Sequence, residues 1–321
     1  YNITINICQT LQHTITGWIG GKENDDDSER PERAMPDKKR VLIFSPHPDD
    51  DVISMGGTFI RLVDQSHDVH VAYQTSGNTA VWDDDALRFV EFVRDFSQTL
   101  ALDTSKLDSL YLDMWNFFES KQPNQVDTKE IQTVKGLIRK GEAISGARYA
   151  GLSDDHIHFM RLPFYEIGKT QRSSIGEEDI RLTMELLQQV KPHQVFAAGD
   201  FADPHGTHQH CFDVILKALK RLQKTEKWVE DCWLWMYRGA WHEFETHEIE
   251  MAVPLSPQEV EKKRLAIFKH QSQKDRPVFP GDDAREFWVR AEDRTRETAK
   301  AYDRLGLAEY EAMEAFVRYR Y

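Results

Sequence analysis

The chain has 321 residues, which is enough for one large domain or two small ones with a substantial buried core. Hydrophobic residues make up 40% of it and charged residues 30%, a balance typical of globular proteins and not of disordered ones. The net charge of -13 argues against a nucleic-acid partner, because binding a phosphate backbone requires a basic face.

The first 40 residues are predicted to form an N-terminal arm and linker. Residues 1–20 are mildly apolar and predict a helix that ends at Gly20 and Gly21. Residues 22–40, KENDDDSERPERAMPDKKR, are almost all charged or proline, which is typical of a linker or a surface arm. The main domain is therefore expected to begin at residue 41.

Strands and helices alternate from residue 41 onward. The sequence predicts strands at 41–45, 69–74, 156–162, 194–199, 232–237 and 249–253, and helices at 52–65, 137–150, 177–190 and 207–223. This alternation indicates a mostly parallel sheet with helices on both faces. We therefore predict an α/β fold, a Rossmann-like three-layer sandwich, over residues 41–256.

Two segments fall outside this alternation. Residues 78–136 are predicted to be an insertion into the domain. Residues 257–321 are predicted to be a helical C-terminal extension packed on the domain. Its entry, Ser256 to Glu259, reads Ser-Pro-Gln-Glu, which is a capping box with proline at the first helical position.

The first predicted strand ends in a cluster of potential metal ligands, within VLIFSPHPDDDVISMGG at residues 41–57. In an open parallel sheet, active groups gather at the carboxyl ends of the strands. His47 and Asp50 can turn toward one cation, and the prolines on either side of His47 stiffen the loop. A divalent ion would also cancel the repulsion between neighbouring carboxylates. Asp49 would then be free to take a proton.

The stretch GDFADPHGTHQH at residues 199–210 offers a further ligand, because it also follows a predicted strand and precedes a predicted helix. His205 and His208 are three residues apart, and His210 lies two beyond. Two histidines and one aspartate with an open position are typical of a catalytic metal site. Zinc is the expected metal, although such a set could also hold Fe(II) or another divalent ion.

Each of these stretches has a plainer interpretation. A loop histidine is often a surface residue, and an aspartate run before a helix often caps its N-terminus. We assign that capping role to Asp51, and we place His210 on a helix face. Gly56 and Gly57 are expected to allow close packing of a helix on a strand. The occurrence of both stretches at strand ends of one sheet favours a metal site.

These motifs resemble those of the PIG-L/LmbE-like family of zinc-dependent N-acetylglucosaminyl deacetylases. The resemblance rests on Pro-His-Pro-Asp-Asp-Asp followed by Gly-Gly, and on His-x-x-His further along the chain. It covers residues 40–75, 137–165 and 192–222. It implies a metal-dependent hydrolase that removes the acetyl group from an N-acetylated amino sugar, with N-acetylglucosamine-6-phosphate among the candidate substrates.

The resemblance also implies the roles of individual residues. His47, Asp50 and His208 would be the metal ligands. Asp49 would be the general base, and His205 would help to stabilise the tetrahedral intermediate.

The chain departs from the family pattern at two positions. Asp51 stands where the family usually has glutamate. Thr207 stands where the family has an aspartate that could orient His205. Asp203 or Asp200 would have to take over that role.

Three further residues are candidate substrate contacts. Arg139, in IRKGEAISGARYAGL at residues 138–152, matches a family arginine that reaches substrate, and a solvated helix arginine is the alternative. Arg238 and Trp241 follow a predicted strand and are expected at the rim of the same site. An arginine there would suit a phosphate, and an aromatic ring would stack on a sugar.

Two other functions stay open at this point. One is a metal-dependent amidohydrolase that acts on a non-sugar N-acyl compound. The other is a non-catalytic regulatory domain that retains the fold, although the complete set of His47, Asp49, Asp50 and His208 argues against it.

The context of the chain is also predicted. Residues 1–40 resemble the junction in fused bacterial proteins that carry a glucosamine-6-phosphate deaminase-like domain upstream, and the first residue is not Met. Cys8, Cys211 and Cys232 fit neither a disulfide framework nor a Cys-x-x-Cys zinc motif, so we expect a cytoplasmic setting. No apolar run reaches the length of a membrane helix, and the expected partner is a small amino sugar.

Overall fold

Seven strands form one sheet in the part of the chain that the structure describes. This computed structural model describes residues 2–123, 125–166, 174–203, 206–239, 241–275, 278 and 283–321. The strands are β1 (Arg40–Ser45), β2 (Asp68–Tyr73), β3 (Ile157–Phe159), β4 (Gln194–Ala198), β5 (Trp233–Tyr237), β6 (Met251–Leu255) and β7 (Ala312–Tyr319). Their order across the sheet is β3-β2-β1-β4-β5-β7-β6. Strands β1 to β5 pair in parallel, and β7 pairs antiparallel with both of its neighbours.

Helices cover both faces of this sheet. Within the described residues they are α1 (Asn2–Thr14), α2 (Asp50–Asp64), α3 (Asp83–Thr99), α4 (Ser105–Ser120), α5 (Lys129–Tyr149), α6 (Pro163–Glu166), α7 (Glu177–Val190), α8 (Thr207–Leu222), α9 (Pro257–Ile267), α10 (Gln271–Lys274) and α11 (Phe287–Arg304). None of these helices combines the length and apolar character needed to cross a membrane.

Strand β1 shows why the fold has three layers. Its side chains are buried on both faces, as expected for a central strand of a parallel sheet. Val41 and Ile43 belong to a core shared with helices α2, α9 and α11. Leu42 and Phe44 belong to a second core shared with α7 and α8. The predicted α/β sandwich with a mostly parallel sheet is therefore confirmed.

The prediction of a wholly helical C-terminal tail is wrong for its last part. The tail begins as predicted, with a capping box in which Ser256 Oγ accepts from the Glu259 N–H and the Glu259 carboxylate accepts from the Ser256 N–H. Residues 312–319, however, form β7, which lies between β5 and β6. The segment is rich in Ala, Met and Glu, which favour helices. Pairing on both sides overrides that preference.

The predicted insertion at 78–136 contains the helical hairpin of α3 and α4. Helix α5 begins at Lys129, inside that segment, and not at 137 as predicted. Four charged residues join the hairpin to α5, because Lys121 and Lys135 each contact both Asp83 and Asp127 at 2.5 to 2.8 Å.

The N-terminal arm packs against the sheet. Helix α1 ends at Thr14, earlier than the predicted end of the helix, and Ile15 bridges to Ala252 of β6. Ile19 is fully buried, and Gln194 at the start of β4 donates to the carbonyl of Ile19 at 3.2 Å. The origin of this segment in an upstream domain, like the domain boundaries, stays a prediction.

Candidate active site

The loop between β1 and α2 brings His47 and Asp50 together. The backbone N–H of His47 donates to Asp50 Oδ2 at 2.8 Å, and His47 Nδ1 lies 3.0 Å from the same oxygen. The N–H of Asp49 donates to the carbonyl of His47 at 2.8 Å. This tight turn places Asp50 at the first position of α2 with its carboxylate directed back toward the loop.

The first turn of α8, which follows the neighbouring strand β4, supplies His208. Asp203 Oδ2 accepts from the backbone N–H groups of Thr207, at 2.6 Å, and His208, at 3.3 Å, and so caps α8. His208 Nδ1 lies 2.9 Å from the carbonyl oxygen of Asp200, which fixes the ring. Because β1 and β4 are adjacent and parallel, His208 Nε2 comes within 3.2 Å of Asp50 Oδ2.

The donor set of His47, Asp50 and His208 fits a divalent cation. One donor atom from each residue lies within 4.8 Å of the others. His208 is almost fully buried, and its Nε2 makes no aligned hydrogen bond among the described residues, although it faces Asp50. Two imidazoles and one carboxylate are ligands that zinc and Fe(II) accept. The predicted ligands are thus brought together, and their role in binding a metal stays a proposal.

Electrostatics also favour a cation at this point. Burial opposes ionisation of Asp50, but the imidazoles of His208 and His47 outweigh burial and hold its pKa well below the usual range. Burial lowers the pKa of His208, but the nearby carboxylates, Asp50 first, more than offset burial and raise that pKa to about 9. The same carboxylates would attract a metal ion, which would have to displace the proton from His208 in order to bind.

Asp49 faces a different partner. Arg139 Nη2 donates to Asp49 Oδ1 at 2.8 Å, and both side chains are buried. Burial raises the pKa of Asp49, and the Arg139 guanidinium partly opposes this rise. Arg139 is only 1% exposed, so the alternative of a solvated helix arginine is wrong.

The prediction that Asp51 caps α2 is wrong. Asp51 is fully buried inside the first turn, where the Tyr73 hydroxyl donates to its Oδ2 at 2.9 Å. Its backbone N–H donates to Ser45 Oγ at 3.1 Å. Burial raises the pKa of Asp51 to about 7. The helix begins at Asp50, two residues earlier than the predicted residue 52, and Asp51 therefore lies within its first turn and points into the interior.

A cleft opens directly onto these residues. Its described lining comprises His47, Asp49, Asp50, Ile53, Thr79, Ala80, Arg139, Asp203, Trp241, Gln273, Val278 and Phe287. The rings of Trp241 and Phe287 meet edge to face at 5.8 Å. Sequence reasoning missed Gln273 and Phe287, because nothing in their spacing distinguishes them from core or surface residues of the tail.

The two predicted rim residues behave differently. Trp241 lines the cleft, whereas Arg238 directs its Nε to the carbonyl of Gly199 at 3.0 Å and stacks over Phe244. Arg238 thus supports the loop after β4, and its contact with substrate stays a prediction. Asp200, one of the two predicted partners for His205, accepts a hydrogen bond from the Trp241 N–H at 2.6 Å and so holds the Trp241 backbone in place at the rim of the cleft.

Three other predictions concern His205, His210 and Gly57. His205 lies outside the described residues. His210 lies on the α8 helix and stacks on Phe164, away from the three donors, as expected. A Cβ at Gly57 would come within 2.6 Å of Leu255 in β6, so the close helix–strand packing is confirmed.

The sequence profile of one family, described as GlcNAc-PI de-N-acetylase, matches residues 42–219. That range runs from β1 to α8 and contains all three donors. The chain belongs to the PIG-L family. Family membership supports a hydrolytic N-deacetylase.

A longer relative extends the comparison over the whole chain. A glucosamine-6-phosphate deaminase-like protein of Bacteroides thetaiotaomicron is 54% identical over 322 aligned positions. The alignment covers 99% of this chain but 48% of the relative, so the chain spans about half the length of that protein.

Solved structures share the fold at low identity. An N,N'-diacetylchitobiose deacetylase from Pyrococcus horikoshii is 20% identical, with a TM-score of 0.55 over 93% of this chain and 95% of its own. A 4-carboxy-2-hydroxymuconate hydratase from Pseudomonas putida is 14% identical, with a TM-score of 0.52 over 88% of this chain and 96% of its own. Because one of these is a deacetylase and the other a hydratase, the shared fold alone does not select the reaction.

Proposed function

We propose that this chain is a metal-dependent N-deacetylase that hydrolyses the acetamide of an N-acetylated amino sugar. The observation that carries the proposal is that two imidazoles converge on Asp50, and that Asp50 lines a cleft together with a separate buried carboxylate, Asp49. Family membership supports the same chemistry.

Hydrolysis of an amide needs a stronger electrophile and a stronger nucleophile than the amide and water provide. Held by His47, Asp50 and His208, a divalent cation such as zinc would supply both, by polarising the carbonyl and lowering the pKa of water. Asp49 would accept a proton from the attacking water and pass it to the leaving nitrogen. The C–N bond breaks, and the products are acetate and a free amine.

Other residues of the chain position these groups. Arg139 holds the Asp49 carboxylate through the 2.8 Å contact and so orients the base. Trp241 and Phe287 present apolar surface on which a sugar ring can pack. The resemblance assigns to His205 the donor that stabilises the developing oxyanion, a contribution worth about 3 kcal/mol for one well-placed group.

A phosphorylated substrate would need a cationic side chain in the cleft to bind its phosphate. Arg139 is the cationic side chain among the described residues that line the cleft, apart from the histidine His47, and it is already paired with Asp49. N-acetylglucosamine-6-phosphate remains a candidate because the long relative is deaminase-like, and an upstream deaminase-like domain would use the deacetylated product.

The test is acetate release from a panel of compounds by the purified chain. The panel contains N-acetylglucosamine, its 6-phosphate, N,N'-diacetylchitobiose and N-acetylated amino acids. We expect equal amounts of acetate and free amine from an amino sugar, and loss of both in the Asp49→Asn variant. Release from the N-acetylated amino acids alone would instead support the non-sugar amidohydrolase, and no release from any compound would contradict deacetylation.

A further inference from the structure

A second group of metal-ligating side chains lies away from the cleft, at the β3 edge of the sheet. Asp68 is the first residue of β2, His70 is the third, and His156 immediately precedes β3. These residues are at the amino ends of the strands, whereas His47 and His208 follow the carboxyl ends of β1 and β4. The two groups therefore occupy opposite ends of the sheet.

The donor atoms of this group converge on one point. His70 Nε2 and His156 Nε2 each lie 3.3 Å from the same oxygen, Asp68 Oδ1. The three donor atoms lie within 4.8 Å of one another. Two imidazoles thus share one carboxylate oxygen, which brings three potential metal ligands to the same place.

A second partner holds each imidazole in this orientation. His70 Nδ1 lies 3.1 Å from His158 Nε2, and His156 Nδ1 lies 3.1 Å from Ser153 Oγ. Hydrogen bonding at one ring nitrogen, which leaves the other directed at a common point, is the usual arrangement around metal-bound histidines.

We propose that Asp68, His70 and His156 form a second metal site, selective for borderline divalent ions of the zinc class. Imidazole and carboxylate donors suit Zn²⁺, and Ni²⁺ or Cu²⁺ would also be accepted by this set. The side chain of Asp68 is 45% exposed and that of His156 is 32% exposed, so an ion can enter from solvent and keep a water ligand. The ion would fasten the edge strand β3 to β2.

The experiment is a titration of metal-depleted protein with Zn²⁺, in which calorimetry measures how many ions bind per chain. The variants are His156→Ala, which removes one ligand of the edge site, and Asp50→Asn, which removes one ligand of the cleft. His247→Ala is the matched control, because His247 is exposed and belongs to neither group. Circular dichroism in the presence of a chelator checks that each variant is folded, and Asp68→Asn is measured alongside His156→Ala as a second variant of the edge site.

We expect two equivalents of Zn²⁺ to bind to the wild-type chain and to His247→Ala, and one equivalent to bind to His156→Ala. A second readout is thermal: Zn²⁺ should raise the Tm of Asp50→Asn but not that of Asp50→Asn combined with His156→Ala. Unchanged stoichiometry in both His156→Ala and Asp68→Asn would overturn the edge site. A single wild-type equivalent that disappears in His156→Ala but persists in Asp50→Asn would support it and count against a metal in the cleft.

Discussion

Asp49 and Asp50 are neighbours in the chain, yet their carboxylates face different partners. Asp50 Oδ2 faces His47 and His208, and Asp49 Oδ1 faces Arg139. The difference arises because α2 begins at Asp50. Asp50 has a helical backbone and Asp49 does not, so the two side chains leave the backbone in different directions. At the scale of single residues, the structure therefore assigns adjacent identical side chains to different environments.

Substitution of the two aspartates should separate their roles. Asp50→Asn should weaken metal binding, because a neutral amide oxygen is a poorer partner for a dication. Asp49→Asn should retain the metal and lower the deacetylation rate by about 10²- to 10⁴-fold, the usual cost of losing a general base. The measurement is metal content by elemental analysis together with acetate release, on the same preparations.

His208→Ala is the companion variant for Asp50→Asn and should also lose metal. The opposite pattern, with an empty Asp49→Asn and a loaded Asp50→Asn, would show that the proposed roles of the two aspartates are exchanged.

At the scale of elements, helix α2 has a kink, and a carboxylate from the C-terminal strand β7 binds the helix backbone next to it. Met55 has non-helical backbone angles, which kink the helix just before Gly57 and Thr58. The carboxylate of Glu314, in β7, accepts from Gly57 at 3.0 Å and from Thr58 at 2.6 Å. Lys263 Nζ lies 2.7 Å from the same carboxylate, and both side chains are 1% exposed.

The first prediction at this scale is that Glu314→Gln destabilises the protein by about 3–5 kcal/mol, because it leaves the buried ammonium of Lys263 without its counter-charge. Urea unfolding at neutral pH measures the loss. Glu250→Gln is the matched control, since Glu250 pairs with the exposed Arg320 and such surface pairs contribute below about 1 kcal/mol. Equal losses in the two variants would contradict the role of Glu314.

The second prediction concerns the hairpin of α3 and α4. Burial raises the pKa of Asp83, but its contacts with Lys121 and Lys135 outweigh burial and lower that pKa below its usual value. In the unfolded chain the pKa of an aspartate is ~3.9, and folding lowers it for Asp83. The Asp83 carboxylate therefore stabilises the protein fully at pH values above the unfolded pKa, and this stabilisation is lost as the pH falls through the lower folded pKa.

The free energy of unfolding should therefore differ between wild type and Asp83→Asn by about 1 kcal/mol at pH 7, and the difference should shrink below about pH 4. Urea unfolding at several pH values measures it. Asp84→Asn is the control, because Asp84 is the exposed next residue in the same helical turn. A difference that is constant with pH, or matched by Asp84→Asn, would rule out the ion-pair explanation.

At the scale of the whole molecule, the last strand holds one side of the sheet together. Strand β7 pairs with β5 along Leu234 to Tyr237 and with β6 along Met251 to Leu255. Within the described residues, β6 pairs with no other strand of the sheet. The tail is thus an integral part of the sheet, and the same tail lines the cleft through Gln273 and Phe287.

Removal of residues 308–321 should consequently prevent folding to a soluble protein, because β6 would lose its strand partner and the apolar edge of β5 would be exposed. Soluble yield and circular dichroism after expression are the measurements. Removal of residues 1–6 is the control, since the described side chains among them are exposed. A folded product of the C-terminal truncation would show that β7 is dispensable.

The sequence by itself determined the α/β class and the position of the site. Apolar runs such as Val41 to Phe44, alternating with helical segments, are typical of a parallel sheet buried on both faces, and polar residues that directly follow two such runs are expected at the same edge of the sheet. That local logic brought His47, Asp49 and Asp50 together with the histidines of residues 199–210, and the resemblance to the family then selected His208 among those histidines as the third donor.

Only the tertiary structure decided the features that depend on partners distant in the chain. The segment containing β7 has helix-favouring residues and becomes a strand because two neighbours pair with it. Arg139 becomes buried because Asp49 neutralises it, and Asp51 turns inward to meet Tyr73. Likewise, Asp68, His70 and His156 form one cluster only because β2 pairs with β3. Asp68 and His156 are far apart in the chain, so their spacing does not predict this contact.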